Sequence, residues 1–164
     1  NILPFSYLTT PENEDTNVAY NTCIDWFDHI NSDGYYISVG TSVGYDDIVS
    51  FQDVGQSSQY CFNQSLAFGD TIHVSIFPYI NDEISSFSYE YFVIEECPGD
   101  LPMNLNPIPS GTYYFDGDLI LNDISISPGS DVKIFSTSSV QISPTSDIPY
   151  NSNLYIDINT CVNE

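Results

Sequence analysis

Arginine is absent from this chain and lysine occurs once, at Lys133, against 23 aspartates and glutamates; the formal net charge is −22 over 164 residues. Phosphate is held by clustered Lys and Arg, so this surface excludes nucleic acid and anionic membrane as partners. Self-repulsion keeps such a chain soluble but strains its compact state. Salt, or divalent cations among the carboxylates, relieves that strain. No apolar run approaches the roughly 18 residues that span a bilayer, so no membrane insertion is expected. No G-x-S-x-G elbow exists to activate a serine. Cysteine is sparse and never spaced as CxxC, which excludes the common zinc patterns. The chain opens Asn1-Ile2-Leu3 without an initiator Met or a signal-peptide pattern, which predicts a processed protein or a piece of a longer one.

The chain is not an acidic disordered tail. It is 41% hydrophobic and 15% aromatic, with 13 Tyr and 10 Phe, enough to bury a core. Val, Ile, Thr, Tyr and Phe are plentiful while Ala and Met are scarce, a balance that favours strands over helices. The four cysteines, Cys23, Cys61, Cys97 and Cys161, read as two disulfides of an oxidising compartment, with buried free thiols as the other reading. The pairing expected is local: Cys23 with Cys61, on strands of one sheet, and Cys97 with Cys161, bracketing the C-terminal part.

Along residues 5 to 96, short strand-like segments alternate with turns. Cys23-Ile24-Asp25-Trp26 alternates and holds the only Trp. Residues 29–34 (HINSDG) turn, and Tyr35 to Gly40 extends again. Ile72, Val74 and Ile76 interleave with His73, Ser75 and Phe77, the mark of a half-buried strand. About seven such segments predict a β-sandwich. Four of the ten prolines then fall within residues 97–109, a boundary no sheet can continue through. Beyond it, Ile124, Val132, Val140, Ile148 and Ile156 recur every eight residues, separated by small polar turns such as SPGSD (127–131) and SPTSD (143–147). Stacked, these units would bury one apolar stripe as a coil. A meander of hairpins is the other reading.

Trp26, the phrase Gly34-Tyr35-Tyr36-Ile37-Ser38-Val39-Gly40-Thr41 and the phrase from Thr71 to Tyr79 (TIHVSIFPY) resemble fibronectin type III domains of secreted Bacteroidetes proteins, over about residues 4–95. One position departs from that pattern: Ile72 stands where a corner tyrosine is usual, so the sandwich needs another fastening, for which a disulfide would serve. Residues 97–161 resemble a small β-coil module near the C-termini of secreted flavobacterial proteins, through Ser110-Gly111-Thr112-Tyr113, Gly129-Ser130-Asp131-Val132 and a cysteine at each end. Together the resemblances imply an exported protein, by the type IX route, in a non-catalytic role.

The expected fold is therefore all-β: a fibronectin-III/immunoglobulin-like sandwich over residues 1–96, then a disulfide-closed stacked β-coil or β-meander over 97–164. The expected function is a non-catalytic, extracellular structural or adhesion module, extending to a head-to-tail filament subunit; the alternative is a carbohydrate-binding accessory module of a secreted hydrolase. An exposed aromatic row flanked by Asn and Asp would favour the alternative. Its partners would be neighbouring domains, copies of itself, or polysaccharide. Ile2, Leu3 and Phe5 form an apolar segment suited to end-to-end packing on the coil. No cofactor is assigned except calcium, for which Asp28, Asn31 and Asp33 approximate the middle of a D-x-[DN]-x-[DN]-G loop, with Asp116 and Asp118 as a second oxygen-rich cluster. His29 and His73, the only histidines, read as a solvated turn and an outward strand position. Asp70-Thr71-Ile72 matches a short O-glycan acceptor pattern of Bacteroidetes.

Overall fold

The computed structural model describes residues 5–84, 87–101 and 106–159. Among these the regular structure is all strand: β1 (Leu8–Thr10), β2 (Cys23–Trp26), β3 (Gly34–Gly40), β4 (Val49–Gly55), β5 (Gln59–Cys61), β6 (Thr71–Ile80), β7 (Glu83–Ile84), β8 (Ser88–Val93), β9 (Gly111–Phe115), β10 (Leu119–Leu121), β11 (Asp131–Ser136), β12 (Val140–Ile142) and β13 (Asn153–Ile158). The chain divides into two compact units, Asn1–Glu95 and Glu96–Glu164.

The first unit is an antiparallel two-sheet sandwich. One sheet runs β1-β2-β5 and the other β4-β3-β6-β8, with β7 adding a short hairpin to the end of β6. Asn81 and Asp82 turn that hairpin with φ of 51° and 65°, the left-handed pair that short polar side chains tolerate. The alternation read in β6 is real: Ile72, Val74 and Ile76 are fully buried, and His73, Ser75 and Phe77 face outward. Leu8, Ile24 and Trp26 meet Tyr35, Ile37, Val39 and Phe92 from the opposite sheet, with Ile94 just past β8, in one core. Ile72 lies within that core, so no corner tyrosine stands there. Cys23 and Cys61 are directly opposite each other on β2 and β5 and form a disulfide. Cys97 is disulfide-bonded as well; its expected partner, Cys161, lies outside the described residues.

The second unit is built from parallel pairing. β9, β11 and β13 form one ladder and β10 with β12 a second, while Ile108 and Ile126 make a bridge of a third. Parallel neighbours need long connections, so hairpins are excluded and a stacked coil remains. The stacking period is not eight residues. Asp131 sits 21 positions beyond its neighbour Ser110, and Asn153 sits 22 beyond Asp131. The eight-residue spacing measures the step from one side of the coil to the next. Thus Ile134 lies over Ile156 and Tyr113, not over the residue eight positions away. The two similar turns close alike, Ser130 N–H donating to the Ser127 carbonyl and Ser146 N–H to that of Ser143. Leu101, Ile108, Leu119, Leu121, Ile126, Val132 and Ile134 stack as the core.

Candidate functional site

The inward half of β3 and β6 fixes what the outward half must present. With Ile37, Val39, Ile72, Val74 and Ile76 spent on the core, the period of two sends Tyr36, Phe77, Tyr79 and His73 to the outer sheet face. Tyr36 and Phe77 are direct cross-strand partners. The neighbouring strand β4 reaches the same face by an irregularity. Its register shifts between the Ile37 and Val39 pairs, and Phe51 in this bulge has φ of 34°. That backbone is costly for a non-glycine residue, and bulges commonly re-aim a side chain. Here it lays the Phe51 ring parallel to Tyr36, 4.8 Å between centroids and 4° between planes. Tyr79 lies 5.2 Å from Tyr36, Phe77 lies 5.2 Å from Phe51, and Phe87 extends the row at 5.1 Å from Phe77. Five rings are thus contiguous, and Phe51 and Phe87 keep 45% and 57% of their surface exposed.

Polar groups edge these rings. Asp53, the cross-strand partner of Tyr36, lies 3.5 Å from the Tyr79 hydroxyl. Desolvation by its neighbours, followed by the Asp53 carboxylate, pushes the Tyr79 hydroxyl above its usual range, so it remains a protonated donor. Ser38 and Ser75 pair in the middle of the face. Past them His73 stacks on Tyr89 at 5.8 Å, with the Tyr89 hydroxyl 2.6 Å from its Nδ1, and Tyr91 lies 5.9 Å away.

Asp28, Asn31 and Asp33 lie in the loop between β2 and β3. Asp28 Oδ1 accepts from the Tyr35 hydroxyl, Asp33 Oδ2 accepts from Asn81 N–H, and Asn31 N–H donates to His29 Nδ1. One oxygen of Asp28 and one of Asp33 are thus taken by different donors. Asp116 accepts from Thr137 and Asp118 from Ser138 and Ser139, so hydroxyls of the adjacent turn occupy them. Those hydrogen bonds hold the Asp118 carboxyl below its ordinary pKa. Among the described residues no three His, Cys, Asp or Glu are placed to hold a metal ion. The backbone donors and hydroxyls that take up these carboxylates are invisible in a spacing pattern.

Of the segment expected to mediate assembly, Ile2 and Leu3 lie outside the described residues. Phe5 is half-exposed and sits 6.4 Å from Tyr7. Thr71 of the O-glycan pattern is half-buried at the start of β6. The five-ring face is not among the sites expected from the sequence. The outward alternation of β3 and β6 already placed Tyr36, Phe77 and Tyr79, but the bulge that adds Phe51 left no sequence signal.

No protein-family model, characterised protein or solved structure matches this chain.

Proposed function

We propose that the chain is a non-catalytic adhesion module of an exported protein, binding an uncharged polysaccharide across the outer face of β4-β3-β6-β8. The observation that carries this reading is the row Phe51, Tyr36, Tyr79, Phe77 and Phe87, held partly exposed at the expense of a strained backbone at Phe51. Sugar rings present apolar C–H faces that stack on aromatic rings, and equatorial hydroxyls that bond edge groups such as Asp53 and Tyr79. A flat, open face suits a polymer lying along it. The net charge of −22 rejects sulfated or uronic-acid chains and leaves neutral ones. The strand order β1-β2-β5 over β4-β3-β6-β8 and the local disulfide support the exported, fibronectin-III-like part of the reading.

The test is co-sedimentation with insoluble cellulose and chitin in high salt. Wild type is expected to be retained on at least one, and Phe51→Ser with Phe87→Ser to lose retention about tenfold or more while keeping its folded spectrum. Equal retention of variant and wild type, or none by wild type on either polymer, overturns the reading.

A filament subunit is the second reading, and the coil's last turn favours it. Ile142, Ile148, Tyr150, Tyr155 and Ile158 are all more than 40% exposed, Tyr150 at 92%. Sedimentation in molar salt separates the readings: a species that grows with concentration and is abolished by Tyr150→Asp supports assembly.

A further inference from the structure

A second surface of the antiparallel unit lies where the chain leaves β2. Phe27 N–H donates to the Tyr7 carbonyl and the Ser6 hydroxyl donates to the Phe27 carbonyl, which extends the pairing of β1 and β2 beyond Leu8 and Trp26. Leu8 and Trp26 face the core, so their neighbours Tyr7 and Phe27 face out. Their rings stack at 5.3 Å and 3°, both 43% exposed. Phe27 then meets His29 edge-on at 6.4 Å. His29 forms one wall of a cleft of about 290 Å³ shared with Asp28, Ile30, Ser32 and Gln56.

The cleft is built on a fixed frame. The Tyr35 ring is fully buried, yet its hydroxyl reaches the loop from below, accepting from His29 N–H at 2.7 Å and donating to Asp28 Oδ1 at 2.8 Å. The Ser32 hydroxyl lies 2.7 Å from it. Asn31 N–H donates to His29 Nδ1, which leaves Nε2 as the ring nitrogen open to a ligand. The cleft therefore holds a carboxylate acceptor, an imidazole nitrogen and an amide that both donates and accepts, beside an exposed aromatic wall.

We propose that this cleft is a separate saccharide site that takes one uncharged sugar ring, the end of a glycan chain. Vicinal hydroxyls each donate and accept, which matches the mixture of acceptor and donor groups that Asp28, His29 and Gln56 bring to the cleft. The volume falls at the bottom of the roughly 300–1,000 Å³ typical of small-molecule sites, so it admits a ring and not a length of polymer. Anionic sugars are excluded by Asp28 and the overall charge. Asp28 and His29 are the only two of the lining residues with a carboxylate or imidazole, which favours a sugar over a metal ion as the occupant. The site is independent of the flat sheet face, and either could exist without the other.

The test is a titration of the full chain, isotope-labelled for NMR, with cellohexaose, N-acetylchitohexaose and mannohexaose at millimolar concentration. Amide shifts at Phe27, His29 and Gln56 are expected with at least one sugar. Gln56→Ala removes an exposed side chain from a turn, leaves the fold intact, and is expected to weaken that Kd about fivefold, the loss of one neutral hydrogen bond. Phe51→Ser with Phe87→Ser is expected to leave these shifts unchanged, which separates this site from the sheet face. Shifts confined to the sheet face, no shifts with any of the three sugars, or an unchanged Kd in Gln56→Ala each overturn the proposal.

Discussion

The two units place the same acid excess with a different emphasis, although Asp28 and Asp46 of the sandwich also accept from hydroxyls and Asp157 of the coil from a backbone N–H. In the sandwich, carboxylates cap backbone donors: Glu90 accepts from Leu8 N–H, Asp47 from Thr41, Asp33 from Asn81 and Glu95 from Tyr20. In the coil, they bridge one turn to the next through side chains: Asp116 to Thr137, Asp118 to Ser138 and Ser139, Asp123 to Thr145, and Asp131 to Asn153. The difference follows from the ladders. Antiparallel sheets joined by loops leave orphan N–H groups at strand ends and crossings, and a carboxylate is a strong acceptor for them. Stacked parallel turns satisfy most of their backbone with the turns above and below, so their acids are free to align side chains. A chain with almost no basic residues can thus place its acids without salt bridges, provided each acid finds a donor.

The largest test of this comparison is to remove the fastening that only the sandwich is shown to have in full. Cys23–Cys61 closes a loop with a sequence separation of 38, which constrains the unfolded chain by about 4 kcal/mol. Replacing both cysteines by serine is expected to lower the sandwich transition by that amount and leave the coil transition in place. Calorimetry reads both. A single transition that moves as a whole would end the description of two units that hold themselves together separately.

Ile134 sets the matching test for the coil. It is fully buried on the middle strand β11, with Tyr113 on one side and Ile156 on the other. Ile134→Ala is expected to cost about 3 kcal/mol, from lost burial and the cavity left behind. Because each turn contacts only its neighbours, that loss spreads along the stack. Hydrogen exchange is expected to quicken across β9, β11 and β13 and to be unchanged in β3 and β6. Equal loss of protection in both units would contradict the comparison.

Some of this was legible in the residues and some was not. The period-two pattern of β6 gives its buried and exposed faces directly, since Ile72, Val74 and Ile76 have nowhere else to go. Cys23 and Cys61 could be paired because each lies on a recognisable strand. The coil was legible as a stack, but its period was not: the eight-residue spacing of Ile124, Val132 and Val140 records the length of a side, and only strand pairing shows which side lies over which. The partners of the acidic loop were not legible: Asp28 and Asp33 are five positions apart, and the fold brings the Tyr35 hydroxyl to one and Asn81 N–H to the other. The Tyr7 and Phe27 stack depends on register across β1 and β2, which no local pattern encodes.

Salt sharpens the comparison by a smaller amount. Both units carry unbalanced negative charge, so screening is expected to stabilise both. A rise of about 4–8 °C in each transition between dilute buffer and molar sodium chloride corresponds to roughly 1 kcal/mol for units of this size. Calcium chloride at matched ionic strength is expected to add nothing, because among the described residues no three acidic or histidine side chains are grouped as ligands. A specific calcium increment in either unit would point to a bound cation held by oxygens other than grouped carboxylates.

The smallest effect separates the two kinds of acid. Glu90 faces the sandwich interior, where desolvation pushes its carboxyl above the ordinary range, against the lowering effect of the Leu8 N–H bond. Asp118 on the coil shifts the other way, lowered by the hydroxyls of Ser138 and Ser139. The two signs predict opposite responses to acid. A raised carboxyl contributes stability that is fully present below its unfolded pKa and lost as pH rises through its folded value. Acidification from neutral toward about pH 4.5 therefore favours the sandwich through Glu90. A lowered carboxyl contributes stability that is present above its unfolded pKa and lost as pH falls through its folded value. The coil therefore keeps the Asp118 contribution until the pH drops below about 3.8. Glu90→Gln isolates the first effect from general charge repulsion, because the amide oxygen can still accept from Leu8 N–H without burying a charge. The variant sandwich is expected to melt above wild type at pH 7, and the gap is expected to close as the pH approaches 4.5. A variant that melts below wild type at pH 7, or a gap that does not change with pH, would mean that Glu90 holds β1 through its charge and that desolvation is not the controlling cost.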